Sequence, residues 1–334
     1  MRIGIVGTGR IGSFHASALA RNPDAGSLVL ADADPARAAL VAARLGATAA
    51  PGVDEVFSWG VDALVVACST EGHAELVVRA VRAGLPVFCE KPLASGLAGT
   101  VAVLREVAAA GGVLQVGFMR RFDAGYRTAR ELVRSGALGR LHTVRTMTAD
   151  PAPPPAGYLA GSGGLFRDCL LHDFDMVRWV TGREVAEVYA AGSDAGGAQF
   201  RDAGDVDTAA ALLTLDDRTL VTCTGTRCNG AGYDVRMELA GDLDQVSAGL
   251  DDRTPIASTE PHGPPPASKP WRGFLERFGP AYEAELAAFV RLVRGEGGNP
   301  CDGAAALAAL RVAEACEVSR RERRPVAPAE LPGA

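Results

Sequence analysis

An aspartate and a histidine stand four residues apart in the apolar stretch GGLFRDCLLHDFDMVRWV at residues 163–180. If this stretch forms one helix, Asp168 and His172 lie side by side on the same face. Such a pair can help to bind a metal, transfer a proton, or lock a hydrophobic core through a hydrogen bond. A metal site needs at least three convergent ligands, and on that helix the neighbouring Asp173 points away from this face. We therefore predict no metal site and keep proton transfer and a structural pair as alternatives.

A glycine-rich turn near the start of the sequence could hold a phosphate group. RIGIVGTGRIGSFHASALA places G-x-G-x-x-G at Gly7, Gly9 and Gly12, between a strand-like run and a helical pattern. Glycines there let the backbone approach a pyrophosphate, which the helix N-terminus stabilises. The next strand ends at Asp32, 20 residues after Gly12, where an acid can accept both ribose hydroxyls of NAD and repel a 2′-phosphate. The pattern predicts NAD as the cofactor, although Arg37 keeps NADP from being excluded. The alternative is that Asp32 only caps the DADPAR turn.

Two further predicted strands end in residues that could contact a ligand, because ligands bind at the carboxyl ends of parallel strands. One strand ends before Ser69 and Thr70, with His73 close behind, and the other ends at Glu90 and Lys91. A lysine at a buried strand end is costly unless it meets an anion. The alternatives are a surface lysine paired with the preceding glutamate and a histidine that packs locally.

Short apolar runs alternate with helical patterns over the first 120 residues, which predicts right-handed βαβ units and a parallel sheet. Beyond residue 120, strand-like runs separated by turn signals predict an antiparallel sheet. We therefore predict an α/β protein with an N-terminal Rossmann domain at 1–120 and a C-terminal α+β domain at 121–334, built on a large, open, mostly antiparallel sheet. Helical segments near 280–294 and 303–319 finish the sequence and could pack back on the first domain. The predicted strands are 2–6, 27–31, 63–67, 86–89, 113–117, 141–149, 185–191, 207–215, 219–226 and 233–240.

The composition bounds the class of protein. The 334 residues are 48% hydrophobic with a formal net charge of −6, which suits two domains with sizeable cores. The acidic balance argues against a nucleic-acid partner, and no apolar stretch reaches the roughly 20 residues that span a bilayer. Seven scattered cysteines without a CxxC pair predict neither a zinc site nor a disulfide framework. With no signal-peptide pattern at the start, we expect a cytoplasmic protein without a membrane partner.

Four motifs together resemble one family of oxidoreductases. They are GTGRIG at 7–12, EKP at 90–92, QVGFMRRFD at 115–123 and GGLFRDCLLHDFD at 163–175. In this order they resemble the Gfo/Idh/MocA oxidoreductases, and within that family the inositol 2-dehydrogenases. The resemblance covers nearly the whole sequence. It implies a Rossmann domain followed by a domain whose open sheet forms the interface of a homo-oligomer, a dimer or a tetramer.

The resemblance also implies roles for individual residues. Lys91, Asp168 and His172 match the three residues that form the catalytic group beside the nicotinamide in inositol dehydrogenase-like members. A polyol substrate is expected at Met119, Asp150 and Tyr233, while Cys223 and Cys228 receive no role. Together with the glycine pattern, the match places the cofactor along Gly7, Gly9, Arg10, Ile11, Gly12, Asp32, Arg37, Ser69, Thr70, His73 and Glu90.

These roles predict NAD-dependent oxidation of a secondary alcohol of a cyclic polyol, from myo-inositol to 2-keto-inositol. A histidine suits removal of the hydroxyl proton, so His172 is the expected base, Asp168 orients it or a substrate hydroxyl, and Lys91 stabilises the developing charge on the reacting oxygen. Alternatively, the lysine accepts the proton and the histidine relays it. A dehydrogenase of a sugar, sugar acid or amino-cyclitol remains an alternative. A non-catalytic NAD(H)-binding regulator is a further one, which the three proton-transfer residues disfavour.

Overall fold

The computed structural model describes residues 1–331, and the chain forms two compact units. The first unit contains Met1–Met119 and Pro280–Leu307. The second contains Arg120–Gly279 and the described residues from Ala308 onwards. The first unit therefore combines the N-terminal third of the sequence with a segment near its C-terminus.

A parallel six-stranded sheet forms the centre of the first unit. Its elements are β1 (Arg2–Val6), α1 (Arg10–Arg21), β2 (Ser27–Ala31), α2 (Pro35–Leu45), β3 (Thr48–Ala49), α3 (Val53–Ser58), β4 (Ala63–Val66), α4 (Thr70–Arg82), β5 (Val87–Glu90), α5 (Leu97–Ala109) and β6 (Leu114–Gly117). The strand order is β3-β2-β1-β4-β5-β6, and every neighbouring pair is parallel. This order reverses between β1 and β4, as in a doubly wound Rossmann sheet. The predicted Rossmann fold is confirmed.

The strands of the first sheet are almost continuously apolar because helices cover both of its faces. Ile3, Ile5 and Leu30 have no exposed surface in this core. Residues from the C-terminal part of the chain complete it, since Phe289 packs against Phe88 with 5.8 Å between the ring centroids. The returning segment thus supplies apolar surface that the first 119 residues lack.

The second unit is built on a mixed sheet. Its elements are α6 (Ala124–Arg134), β7 (Leu141–Ala149), α7 (Ala156–Gly161), α8 (Leu165–Asp168), α9 (Leu171–Thr181), β8 (Val185–Ser193), α10 (Ala198–Asp202), β9 (Thr208–Leu215), β10 (Leu220–Thr226), β11 (Asp234–Gly241) and β12 (Gln245–Ala248). The strand order is β12-β11-β7-β10-β9-β8. All neighbours are antiparallel except β7 and β10, which run parallel. The predicted mostly antiparallel sheet is confirmed.

Alternating burial along this sheet shows that it has one packed and one open face. Along β9, every second residue from 209 to 215 is buried and the residues between them are exposed or half-buried. This period of two places apolar side chains on the core side only. The parallel pair has a further consequence, because β7 and β10 end at the same edge of the sheet.

Two long helices close the chain, α11 (Phe274–Val293) and α12 (Gly303–Glu322). Each crosses from one unit to the other along its length, at Pro280 and at Ala308 respectively. A 3-10 helix follows at Pro328–Glu330. None of the helices within residues 1–331 combines the length and apolar character that crossing a bilayer requires.

Candidate active site

The three glycines of the first turn differ in what a larger side chain would meet at each position. Gly7 has a φ of +95°, and a methyl group there would overlap the backbone of Cys68. A methyl group at Gly12 would overlap the carbonyl oxygen of Gly7. Gly9 has an extended backbone, and a methyl group there would meet no protein atom within 4 Å. Packing inside the protein explains two of the glycines, and the third borders open space at the start of α1.

The N-terminus of α1 has features that suit an anion. Gly9 is its N-cap, no side chain caps the helix, and its first turn contains no acidic residue. Arg10 is exposed and Ile11 is half-buried directly behind this cap. Backbone amides at such an end, together with the helix dipole, suit the pyrophosphate of a dinucleotide.

Asp32 is fixed at the end of β2 by four hydrogen bonds. Its Oδ2 accepts the amide and the hydroxyl of Thr8 at 2.6 and 2.9 Å, and its Oδ1 accepts the Asp34 amide at 2.9 Å and Arg37 Nη1 at 3.4 Å. Burial alone would raise the pKa of Asp32, but these bonds and the arginine charge lower it overall. Helix α2 is capped by Asp34, whose carboxylate accepts the amides of the first turn. The Asp32 carboxylate is therefore ionised and held against the glycine turn.

His73 joins the ends of two neighbouring strands. It is buried, its Nδ1 lies 2.7 Å from the carbonyl oxygen of Pro92, and its Nε2 lies 3.1 Å from that of Cys68. Ser69 is the exposed N-cap of α4, and the half-buried Thr70 is its first residue. Local packing thus explains the histidine, and a contact of these residues with the cofactor stays a prediction.

Glu90 engages a buried histidine that the sequence analysis did not single out. His15, on α1, has no exposed surface, and its Nε2 lies 2.6 Å from Glu90 Oε1. The other carboxylate oxygen accepts the backbone amide of Lys91 at 3.3 Å. The carboxylate therefore links α1 to the strand end that presents the half-buried Lys91.

The stretch 163–180 does not form one helix. Helix α8 ends at Asp168, and α9 begins three residues later. Between them the Leu170 amide donates to the Leu165 carbonyl, five residues back, and the His172 amide donates to the Cys169 carbonyl, three residues back. The prediction of one continuous helix through Asp168 and His172 is therefore wrong, because Asp168 ends α8 and His172 belongs to α9.

Asp168 is held by two residues that the sequence analysis missed. Tyr158, on α7, donates its hydroxyl to the two carboxylate oxygens at 3.0 and 3.1 Å. Arg227 Nη2 donates to Oδ2 at 3.2 Å. His172 follows in the first turn of α9 and is 8% exposed. Two side chains from outside α8 thus hold the carboxylate of Asp168.

Asp150 and Arg227 lie at adjacent strand ends. Asp150 directly follows β7 and Arg227 directly follows β10, and the last residues of the two parallel strands, Ala149 and Thr226, lie opposite each other. Cys169 donates its thiol to Asp150 Oδ2 at 3.6 Å. Burial raises the pKa of Asp150, and the charge of Arg227 opposes the shift. In a parallel sheet, ligands bind at the carboxyl ends of the strands. The parallel pair β7 and β10 provides such an end within this mostly antiparallel sheet.

The other two predicted substrate residues are both buried. Met119 is 3% exposed and begins a 3-10 helix, Met119–Phe122, at the end of the first unit. Tyr233 precedes β11, and its amide donates to the Trp271 carbonyl at 2.8 Å. Its ring meets Phe278 edge-on with 6.5 Å between centroids, and burial raises the pKa of its hydroxyl. Contact of either residue with a substrate stays a prediction.

Two buried Arg–Asp pairs fix helix α9, and the sequence analysis missed both. Arg121 donates to both carboxylate oxygens of Asp175, at 2.9 and 2.5 Å. Arg120 lies 3.2 Å from Asp173 and donates to Thr148, whose hydroxyl donates to the same aspartate at 2.6 Å. All four charged side chains are at most 8% exposed. The signal was available in RRFD and HDFD, since charges within apolar surroundings need partners.

The cysteines are dispersed over both units. Within residues 1–331, no group of three or more His, Cys, Asp or Glu side chains is arranged to hold a metal ion. All seven cysteines are free thiols. Cys223 is buried on β10 and Cys228 is exposed just beyond that strand, and neither gains a role from its position.

A Rossmann unit with a dinucleotide-type glycine turn and a fixed acid at the second strand end defines an NAD-binding oxidoreductase. Residues 1–118 match the family model for the oxidoreductase family with an NAD-binding Rossmann fold. Residues 126–246 match the GFO/IDH/MocA C-terminal domain. The chain belongs to the GFO/IDH/MocA family of NAD-dependent oxidoreductases, as the motifs indicated.

Several relatives are similar over most of their length. The chain is 40% identical to myo-inositol dehydrogenase Hyg17 of Streptomyces leeuwenhoekii over 91% of both sequences. It is 36% identical to the myo-inositol 2-dehydrogenase of Thermotoga maritima over 100% of both. The structure resembles the scyllo-inositol dehydrogenase of Lactobacillus casei with bound NAD(H) and scyllo-inositol, with a TM-score of 0.86 and 28% identity over 98% of this chain and 99% of the other.

Proposed function

We propose that the protein oxidises a secondary alcohol of a cyclic polyol with NAD and converts myo-inositol to 2-keto-inositol. The similarity to a myo-inositol 2-dehydrogenase over the complete length of both sequences carries this proposal. The match spans the whole chain, so the segments with the glycine turn, the EKP motif and the HDFD motif lie within it.

The first unit has the hydrogen-bond donors and acceptors that suit NAD. The open space beside Gly9 and the uncapped amides of α1 suit the pyrophosphate. The ionised carboxylate of Asp32 suits two ribose hydroxyls and repels a 2′-phosphate. The bound nicotinamide supplies a hydride acceptor for the carbinol carbon.

The residues of this chain would handle the hydroxyl proton. We assign its removal to His172, with Asp168 orienting the imidazole or a substrate hydroxyl and Lys91 stabilising charge on the reacting oxygen. The bonds from Tyr158 and Arg227 to Asp168 support a precisely oriented acid. In the second form of this proposal, Lys91 takes the proton and the histidine relays it.

Substitution of the two basic groups tests the proton-transfer assignment. His172→Ala and Lys91→Ala should each lower kcat by about 100-fold or more, the contribution typical of a positioned acid or base. Exposed residues of the same types provide controls, His142→Ala and Lys269→Ala. Turnover within about tenfold of wild type for both active-site variants would exclude acid–base catalysis by these groups.

A substrate panel tests the polyol assignment. NADH formation, followed by absorbance at ~340 nm, should be fast with NAD and myo-inositol and slower with scyllo-inositol, D-chiro-inositol or D-glucose. No turnover with any of these, while NAD still binds, would favour an amino-cyclitol or a sugar acid as the substrate. If those compounds also remain unchanged, the regulator becomes the better explanation.

We also propose that the open face of the second sheet forms a homo-oligomer, a dimer or a tetramer. Tyr189 and Leu212 are directly paired on this face and are 46% and 47% exposed, and Leu220 on the next strand is 46% exposed. Exposed apolar side chains that adjoin across strands mark an interaction face. Leu212→Arg should lower the molar mass measured by light scattering. A wild-type protein with the mass of a monomer would contradict the proposal.

A cytoplasmic location completes the proposed function. The free thiols support it, because reducing compartments keep cysteines in this form. Cell fractionation with an antibody against the protein should recover it in the cytosolic fraction, and recovery in another fraction would contradict this location.

A further inference from the structure

A buried arginine stands at the carboxyl end of β10, next to the acid assigned to proton transfer. We propose that Arg227 is a positioning residue, which holds the carboxylate of Asp168 in the orientation that proton transfer requires. The inference rests on the proposed function, because it takes from it the role of Asp168. It adds a residue that acts through this aspartate.

Arg227 is placed to act on Asp168 directly. Its side chain is 2% exposed, and its Nη2 lies 3.2 Å from Asp168 Oδ2 and 3.8 Å from Asp205 Oδ2. Its backbone amide donates to the Asp207 carbonyl at 2.8 Å, which fixes the chain just beyond β10. Both contacts come from the same nitrogen: it donates a hydrogen bond to Asp168 and forms a longer ion pair with Asp205.

The same arginine connects the two ends of α8. Asp205 accepts the Leu165 amide at 2.9 Å, at the start of this helix, where the N-cap residue Gly164 has no side chain to do so. Asp168 is the last residue of α8. A single helical turn is not stable by itself, so the position of Asp168 depends on contacts from outside the helix. Arg227 contacts the last residue of α8 directly, and it lies 3.8 Å from the aspartate that accepts the first amide of the helix.

The charge of Arg227 matters as well as its shape. It interacts electrostatically with the carboxylates of Asp150, Asp168 and Asp205, and the last two lie 3.2 and 3.8 Å from its Nη2. These interactions take place in a largely buried environment, where charges interact strongly, and the charge of Arg120 also acts on Asp150. Removing the Arg227 charge should favour protonation of Asp150, whose raised pKa this charge opposes, and of Asp168, which lies 3.2 Å from the guanidinium.

Three variants separate positioning from general support of the fold. Arg227→Met should lower kcat by about 100-fold, the scale of a lost acid–base contribution, and should move the acid limb of the pH–rate profile to higher pH. Arg227→Lys keeps the charge without the fork and should recover about a tenth of the wild-type rate and most of the acid limb. Arg167→Met is the matched control. Arg167 is a partly buried arginine on α8, the helix that ends at Asp168, and it pairs with Glu314 at 2.7 and 2.6 Å. It should leave the acid limb in place even if the protein becomes less stable.

A double-mutant cycle with Asp168→Asn decides the inference. If Arg227 acts through Asp168, the double variant should be no slower than Asp168→Asn alone, because coupled residues are not additive. Rate losses that multiply, or an Arg227→Met enzyme with wild-type kcat and pH profile, would overturn the positioning role. If Asp168→Asn itself turns over normally, the proposed function of Asp168 fails instead. Should the methionine variant not fold, the lysine variant carries the test, and an unchanged rate in that protein would overturn the inference.

Discussion

Replacement of Asp32 by alanine should change the preferred cofactor. The carboxylate oxygens are held by Thr8 and Asp34 on the protein side, and bonds from a ligand hydroxyl to a charged group contribute about 1.5–3 kcal/mol each. Loss of a single such bond therefore weakens NAD binding by about 10- to 150-fold. The substitution also removes the charge that repels a 2′-phosphate and releases Arg37, which lies 3.4 Å from Asp32 and is half exposed. NADP should consequently be used better than by the wild type.

The assay compares kcat/KM for NAD and NADP with the same polyol. Asp34→Ala is the helix-cap control: it removes the cap of α2 and a 3.8 Å ion pair with Arg37, and it should cost about 1 kcal/mol of stability. Because it keeps the Asp32 carboxylate, it should change the cofactor ratio far less than Asp32→Ala. Arg37→Gln in the Asp32→Ala background should reverse the gain with NADP. Asp32→Asn should not substitute for the acid. In the wild type each carboxylate oxygen accepts a backbone amide, from Thr8 or from Asp34, so either orientation of the asparagine would point its NH₂ group at one of these donors. An NAD to NADP ratio that Asp32→Ala leaves within about threefold of wild type would refute the assigned ribose contact.

Further predictions concern the turn and the buried ion pairs. Gly9→Ala should weaken NADH binding, measured by fluorescence titration, with little loss of thermal stability, since its methyl group would occupy ligand space only. Gly12→Ala should instead destabilise the protein by about 1–3 kcal/mol through overlap with a backbone carbonyl; the reverse ranking of the two glycine variants would contradict this division. Arg121→Met and Asp175→Asn should each cost about 3–5 kcal/mol in urea unfolding because each leaves a buried partner unpaired. The combined variant should cost less than the sum, and full additivity would show that the pair is not coupled.

The features that could be predicted from the sequence have local causes. The glycine turn, its preceding strand and the acid at the next strand end follow each other within 32 residues, and their chemistry depends on spacing along the chain. The alternation of strands and helices in the first 119 residues was predictable for the same reason. Each βα step carries its own periodicity, so no distant contact is needed to recognise it.

The features that were missed depend on contacts between distant parts of the sequence. Strands β10 and β11 follow each other in the sequence, yet β7 lies between them in the sheet and runs parallel to β10. That pairing brings Arg227 to Asp168, 59 positions away, and no local pattern signals it. The break between α8 and α9 has a similar origin. The apolar run contains neither glycine nor proline at this point, and contacts of Asp168 from Tyr158 and Arg227 hold the end of α8 in place.

The most direct test of the account follows the transferred hydrogen itself. The enzyme would be incubated with NAD and myo-inositol that carries deuterium on carbon 2, and the reduced cofactor would be analysed by mass spectrometry. The proposed reaction predicts NADH with one deuterium atom, together with an unlabelled 2-keto-inositol. Reduced cofactor without deuterium would show that the hydride comes from a different carbon, and an absence of reduced cofactor would contradict the proposed oxidation of myo-inositol.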